Sequence, residues 1–189
     1  MDKKFDLNRL NVKAFAREGL SLQGQQNLTD FARLAEMAVA SPEAPIKQAS
    51  EPVQVSWGIR GELLPVTGGE PQIWLHLKAE IDLALQCQRC MAAVKLSVNG
   101  DASFRFVADE ATAEAEDDES EEDLLVLTPE LNIFELIEDE LIMSVPLVPM
   151  HETCPTEVPM SAVDEAFDEA LEARPNPFAA LAQLKKKPT

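Results

Sequence analysis

The sequence predicts an α+β protein, a mainly antiparallel sheet flanked by N-terminal and C-terminal helices, with a disordered acidic loop between. Three observations predict it. From Ile73 through Leu75, Leu77, Ala79, Ile81 and Leu83 to Leu85, apolar residues alternate with mostly polar ones for 13 residues, the two-residue period of a half-buried strand. The alternation stops at Cys87-Gln88-Arg89-Cys90 and resumes as Val94, Leu96, Val98, Ala102, Phe104 and Phe106, which reads as two long antiparallel strands joined by a hairpin at the cysteines. On either side of this region the apolar spacing becomes helical.

The elements follow in order. Residues 11–19 form a short helix stopped by Gly19. Thr29 caps a second, in which Phe31, Leu34, Ala35 and Ala38 fall on one face before Pro42 and Pro45 end it. Val53, Val55, Trp57 and Ile59 alternate with polar residues as a first strand, followed by a turn at 65–71. Residues 109–123 hold ten acids and no base, too little apolar area to order a chain, so a disordered loop is expected. Residues 124–127 form a short strand. Asn132 with Glu135 three later makes a capping box. The helix behind it buries Ile133, Phe134, Ile137, Leu141 and Val145, exposes Glu135, Glu138 and Asp139, and ends at Pro146. Further helices are expected at 161–173 and 178–187. Trp57 and Trp74 lie at the core or in a groove. The expected organisation is a helical segment at 1–50, the sheet with its hairpin at 51–107, the acidic loop at 108–123, an acidic helical segment at 124–173, and a C-terminal helix with a basic tail at 174–189. All belong to one globular domain.

The net charge of −18 is unevenly spread. Between Arg105 and Arg174 lie 68 residues with 22 acids and no Lys or Arg, and the rest of the chain is net +4. Such an acidic stretch attracts basic partners and repels phosphate backbones, although charge runs also serve solubility alone. No apolar run approaches the roughly 18 residues of a membrane span, and the charged N-terminus does not read as a secretory signal. With an odd number of cysteines, two of them as Cys-x-x-Cys, reduced thiols in the cytoplasm are favoured over a disulfide framework.

The sharpest constellation is Cys87, Cys90, His151 and Cys154. It pairs two ligands on a hairpin turn with two more in a Pro-bounded loop, the Cys₃His donor set of a structural zinc site. A buried thiol hairpin is the alternative, because Cys87 stays in phase with the apolar strand face. Redox chemistry is the least favoured, since this Cys-x-x-Cys closes a strand instead of opening a helix. His76 reads as an exposed strand residue. Arg89, Lys95 and Arg105, with Arg60, offer a modest basic surface for RNA or a partner carboxylate, and Lys185-Lys186-Lys187 offers a second. Glu138, Asp139 and Glu140 point in different directions from consecutive helix positions and read as a solvated face. No phosphate loop, nucleophile elbow or His-Glu-x-x-His motif is present, and no small-molecule site is evident.

Four motifs in order carry a family resemblance. They are Cys87-Gln88-Arg89-Cys90 after a long β stretch, the acidic segment, the run from Ile133 through Leu141 closed by Val145-Pro146-Leu147-Val148-Pro149-Met150-His151, and Pro175-Asn176-Pro177-Phe178-Ala179 with Leu181, Leu184 and Lys185. In this order they are similar to the large ribosomal RNA subunit accumulation protein (YceD) family. The resemblance implies a non-catalytic ribosome biogenesis factor in synthesis, processing or stability of 23S ribosomal RNA, and supplies no active-site residues. The expected partner is ribosomal RNA or a pre-large-subunit particle, or a basic ribosomal protein. The alternatives are a zinc- or thiol-dependent RNA-processing enzyme and a zinc-stabilised interaction adaptor without an RNA role.

Overall fold

The computed structural model describes residues 5–39 and 52–157. The helices expected over 161–173 and 178–187, with the Lys185-Lys186-Lys187 tail, lie outside the described residues. In chain order the elements are α1 (Val12–Glu18), β1 (Ser21–Asn27), α2 (Ala32–Met37), β2 (Gln54–Leu64), β3 (Gln72–Gln86), β4 (Ala93–Val107), α3 (Glu110–Glu116), β5 (Asp123–Val126) and α4 (Ile133–Ser144). The strands form one sheet in the order β1-β2-β3-β4-β5. Its first four strands are an antiparallel meander, and β5 runs parallel to β4.

The period-two pattern sets the centre of this sheet. β3 and β4 pair from Ile73↔Phe106 to Gln86↔Ala93, with Leu75, Leu77, Ala79, Ile81, Leu83 and Leu85 buried on one face. That face receives the helices. Leu10, Val12, Phe15 and Ala16 of the α1 region, Leu34 of α2, and Ile133, Ile137 and Leu141 of α4 are all buried, so the core lies between one sheet face and the helices. Two glycines set how closely the helices approach. A Cβ at Gly61 would stand 2.6 Å from Phe15 Cδ1 and 2.9 Å from the Ala16 backbone, and one at Gly100 would stand 2.6 Å from Glu140 Cγ. The other face carries Gln72, Trp74, His76, Lys78 and Asp82 of β3 and is largely polar.

The helix ends follow the capping rules with one exception. Asn11 accepts from Ala14 N, Gly19 takes the left-handed conformation at the end of α1 (φ 60°), and Asn132 accepts from Phe134 N. Thr29, by contrast, does not cap α2. Residues 28–30 form a 3-10 turn, and Phe31 precedes α2 without a side-chain cap. The acceptor comes from α4. Glu138 Oε1 accepts from Arg33 N at 2.8 Å and Leu34 N at 3.1 Å, and its Oε2 accepts from the Arg33 guanidinium at 3.0 and 2.9 Å. Glu138 is therefore buried rather than on a solvated face (7% exposed). Asp139 holds the same guanidinium at 2.7 Å, and Glu140 lies over Gly100.

The acidic segment holds a helical turn, α3, although none of the α3 residues is buried. Its order is polar. Asp109 accepts from Thr112 N, and Arg105, projecting from β4, binds Glu116 at 2.6 Å, Ser120 Oγ at 2.7 Å and Glu122 at 3.3 Å. A sequence reading of apolar area alone passes over β1 for a related reason. Its inward positions are Leu22, Gly24 and Gln26, which give no apolar alternation. The indole of Trp57 covers Gly24, where a Cβ would lie 2.7 Å from Trp57 Cζ2.

Candidate metal centre

The cysteine hairpin is a tight knuckle. Cys87 N donates to Ala92 O and Met91 N to Cys87 O, each at 2.9 Å, which turns the chain within six residues and aims both thiols to one side. Met91, directly after Cys90, has φ 61°. That left-handed conformation costs a non-glycine residue roughly 1 kcal/mol, so this turn holds stored strain.

A second loop is strapped to the knuckle. After α4, residues 145–152 run back to the hairpin, where Pro149 O accepts from Gln88 N at 2.8 Å. Arg89 reaches over and donates to the carbonyls of His151 and Glu152, the latter at 3.2 Å. These contacts bring His151 to the cysteines. Its Nε2 faces Ala93 O at 3.1 Å and its Nδ1 faces Cys90 Sγ at 3.5 Å. A carbonyl only accepts, so in the neutral ring Nε2 carries the proton and Nδ1 presents its lone pair inward. A backbone carbonyl fixing the far nitrogen of a ligating histidine is the usual outer shell of a zinc site.

The ligand atoms of Cys87, Cys90, His151 and Cys154 all lie within 4.8 Å of one another. Metal–sulfur bonds of about 2.3 Å in a tetrahedron put ligand atoms roughly 3.8 Å apart, so the donor set and spacing fit a metal ion with little movement. The electrostatics agree. Cys87 is fully buried. Burial pushes its thiol up, but the backbone N–H groups of Cys90, His151 and Arg89 and the His151 side chain pull it down further, from 9.0 to about 5. A thiolate is the ligand form, and this cradle is built to hold one. The cluster can therefore bind a metal, and its four protein ligands would leave no open position for substrate.

The cations expected to contact RNA are dispersed. Arg89 is committed to the loop carbonyls. Lys95 is exposed and pairs with Asp82 at 2.8 Å. Arg105 is buried to 8% exposure under its two glutamates and Ser120. Arg60 bonds Glu62, which also meets His76 Nε2 at 3.1 Å. His76 is half-buried, accepting or donating at Ser103 Oγ at 2.8 Å and stacked on Trp74 with 13° between the rings. Trp57 instead lies on the helix side, edge-to-face with Phe134. Sequence reasoning missed Met91, Arg89's clamp and the Ala93 carbonyl. The position after a Cys-x-x-Cys knuckle is often glycine when its φ is positive, and the methionine here conceals that signal.

A five-stranded sheet with helices on one face and a Cys₃His cluster at a hairpin tip defines a class: a sheet scaffold stapled at its end by a closed ligand set. The comparisons narrow it. Residues 75–185 match the family described as large ribosomal RNA subunit accumulation protein YceD, more than half of the chain, and the chain belongs to that family. A protein of that description from Haemophilus influenzae (strain ATCC 51907 / DSM 11121 / KW20 / Rd) is 37% identical over 113 residues, 58% of this chain and 64% of that protein. The match thus spans just under two thirds of the relative's length. No solved structure matches the chain.

Proposed function

We propose that this protein acts in the cytoplasm as a non-catalytic factor in the accumulation of large-subunit ribosomal RNA, supporting 23S ribosomal RNA synthesis, processing or stability during ribosome biogenesis. Membership of the YceD family over 75–185 carries the reading. That stretch includes the cysteine knuckle, α4 and the loop strapped to the knuckle. Among the described residues no helix is long and apolar enough to cross a membrane.

The charge distribution supports a basic partner, such as a ribosomal protein met on a pre-large-subunit particle, because ten acids within 109–123 repel RNA phosphates. Direct RNA contact then falls on Lys95, which is exposed, and on the Lys185-Lys186-Lys187 run of the sequence. Arg89 and Arg105 serve the fold. Zinc is the metal proposed for Cys87, Cys90, His151 and Cys154, because three sulfurs and one imidazole in a closed set suit it. Its role is structural, tying the 145–154 loop to the hairpin. A zinc- or thiol-dependent RNA-processing enzyme is disfavoured, because hydrolysis at a metal needs an open position or converging carboxylates.

The test is sucrose-gradient fractionation of growing cells carrying the tagged protein, with 23S and 16S ribosomal RNA measured after depletion. Co-migration with immature large subunits and a selective fall in 23S RNA support the reading. Migration at the top of the gradient at every salt, with an unchanged RNA ratio, refutes it. An RNA role lost on depletion but absent in purified precursor-cleavage assays separates a factor from an enzyme.

A further inference from the structure

The two edges of the sheet are treated differently. β5 is four residues long and lies beside α3 in the acidic segment. β1 is seven residues long, and among the described residues no strand pairs with its outer side. Gly61 N donates to Leu20 O at 2.9 Å, which sets the phase of the β1–β2 ladder. Leu22, Gly24 and Gln26 direct their backbone groups to β2, and Ser21, Gln23, Gln25 and Asn27 direct theirs outward. All four outward positions are exposed.

Open edges are templates for strand pairing, and soluble proteins usually guard them with lysine, proline, inward charges or bulges. Ser21-Leu22-Gln23-Gly24-Gln25-Gln26-Asn27 contains no charge and no proline, and its register with β2 runs unbroken from Ser21↔Arg60 to Asn27↔Gln54, with no bulge. Leu22 stands 37% exposed on it. An unguarded edge of this length is consistent with a strand that is covered in solution.

We infer that β1 is the seam of a homodimer, in which β1 strands from two copies pair antiparallel about a two-fold axis at Gly24 and extend the sheet across both copies. The phase fits without adjustment. With Gly24 opposite its own copy as a non-hydrogen-bonded pair, the hydrogen-bonded pairs are Gln23 with Gln25 of the partner subunit and Ser21 with Asn27 of the partner subunit. Those are the residues whose backbone groups point outward. At the axis, Cα atoms of a non-hydrogen-bonded pair approach to about 4.5 Å, and Gly24 brings no side chain there.

The uncharged, self-complementary seam points to a second copy as the occupant, and charge restricts two copies to this edge. The protein carries −18 overall, so most ways of joining two copies are opposed. The ten acids of 109–123 lie on the β4–β5 side, four strand spacings from β1, or about 19 Å. Pairing through β1 separates the two β5 strands by nine spacings, about 43 Å, against a screening length of about 8 Å at physiological salt. The seam itself is uncharged: Gln23 meets Gln25 of the partner subunit, Ser21 meets Asn27 of the partner subunit, and Leu22 meets Gln26 of the partner subunit. An isologous interface requires such self-complementarity.

The experiment is light scattering coupled to size exclusion on the full chain across a hundredfold concentration range. The expected mass is twice the 20.8 kDa of the chain. Gln23→Pro removes an outward N–H that β2 does not use, and Gln25→Lys places a guarding charge on the edge. Each is expected to halve the mass while circular dichroism keeps its wild-type form. Should Gln23→Pro fail to fold, Gln25→Lys alone decides. A wild type that stays at 20.8 kDa throughout overturns the inference. So does a dimer whose mass both variants leave unchanged, which would put the interface elsewhere. A monomer whose Gln23 and Gln25 amides become protected only on addition of an extended peptide also overturns it, in favour of a foreign strand.

Discussion

Glu138 offers the most informative single perturbation, because it ties α4 to the start of α2. Glu138→Ala removes the acceptor for Arg33 N and Leu34 N and the partner of the Arg33 guanidinium. Losing a helix N-cap costs about 1 kcal/mol. The Leu34 N–H is buried, and leaving it unsatisfied adds about 1–3 kcal/mol. The guanidinium adds little, because Arg33 is 54% exposed and regains water. The expected loss is about 3 kcal/mol, which for a chain of this size lowers the melting temperature by roughly 6–12 °C. Glu138→Gln keeps an oxygen for the two backbone donors and loses only the charge, so about 1 kcal/mol is expected. Urea unfolding of the two variants beside Arg33→Ala measures the ordering. Equal losses for Ala and Gln would mean that the ion pair, and not the cap, is what matters. A larger loss for Arg33→Ala than for Glu138→Ala would refute the capping argument outright.

Three further outcomes follow from the same geometry. Gly61→Ala drives a Cβ into Phe15 and the α1 backbone, so a loss of about 1–3 kcal/mol is expected by thermal unfolding. Prolonged exposure to a strong chelator is expected to lower the melting temperature of wild type but not of Cys90→Ser, and metal analysis is expected to show one equivalent of zinc in wild type only. Identical melting of treated and untreated wild type would reduce the cluster to a buried thiol hairpin. The Thr112 N–H and hydroxyl hold the Asp109 carboxyl below its ordinary value. A group depressed by folding contributes above its unfolded value and stops contributing as pH falls through its folded one. Amide protection of residues 110–116 is therefore expected to persist at neutral pH, to fall only below about pH 4, and to be lost at all pH values in Asp109→Ala.

The sheet centre, α1, α4 and the strand at 124–127 were legible because each announces itself locally, through strict alternation, a left-handed Gly19, or Asn132 at a helix start. The meeting of Cys87, Cys90, His151 and Cys154 was legible for a different reason. Short chelating pairs are visible in sequence even when 60 residues separate them, and the hairpin and loop needed only to meet. What escaped depends on contacts that no local pattern encodes. The α2 start is capped by a glutamate more than 100 residues away, so Thr29 was the natural but incorrect candidate, and Glu138 looked like one of three solvated acids. The turn at α3 is ordered by Arg105 and not by apolar burial. β1 has almost no apolar residues, because its inner side is covered by Trp57 from the neighbouring strand.

The long hairpin also separates two properties that the sequence lists side by side. From the Gln86↔Ala93 pair at the knuckle to Ile73↔Phe106 at the other end there are 13 residue steps, roughly 40 Å of strand. The cysteine knuckle stands at one end, and Arg105 with its acidic segment stands at the other. Screening over about 8 Å makes direct electrostatic coupling between them negligible, so a cysteine substitution reaches the acidic segment only by unfolding the hairpin. This makes the roles separable. If Cys90→Ser lowers 23S ribosomal RNA in step with a lower melting temperature, and a second stabilising change restores both, the cluster is a staple. If RNA accumulation falls while melting is unchanged, the knuckle and its 145–152 loop, where Leu147 is fully exposed and Val148 55% exposed, are themselves a contact surface. Charge reversal at Glu119 and Glu121 would then leave that defect untouched.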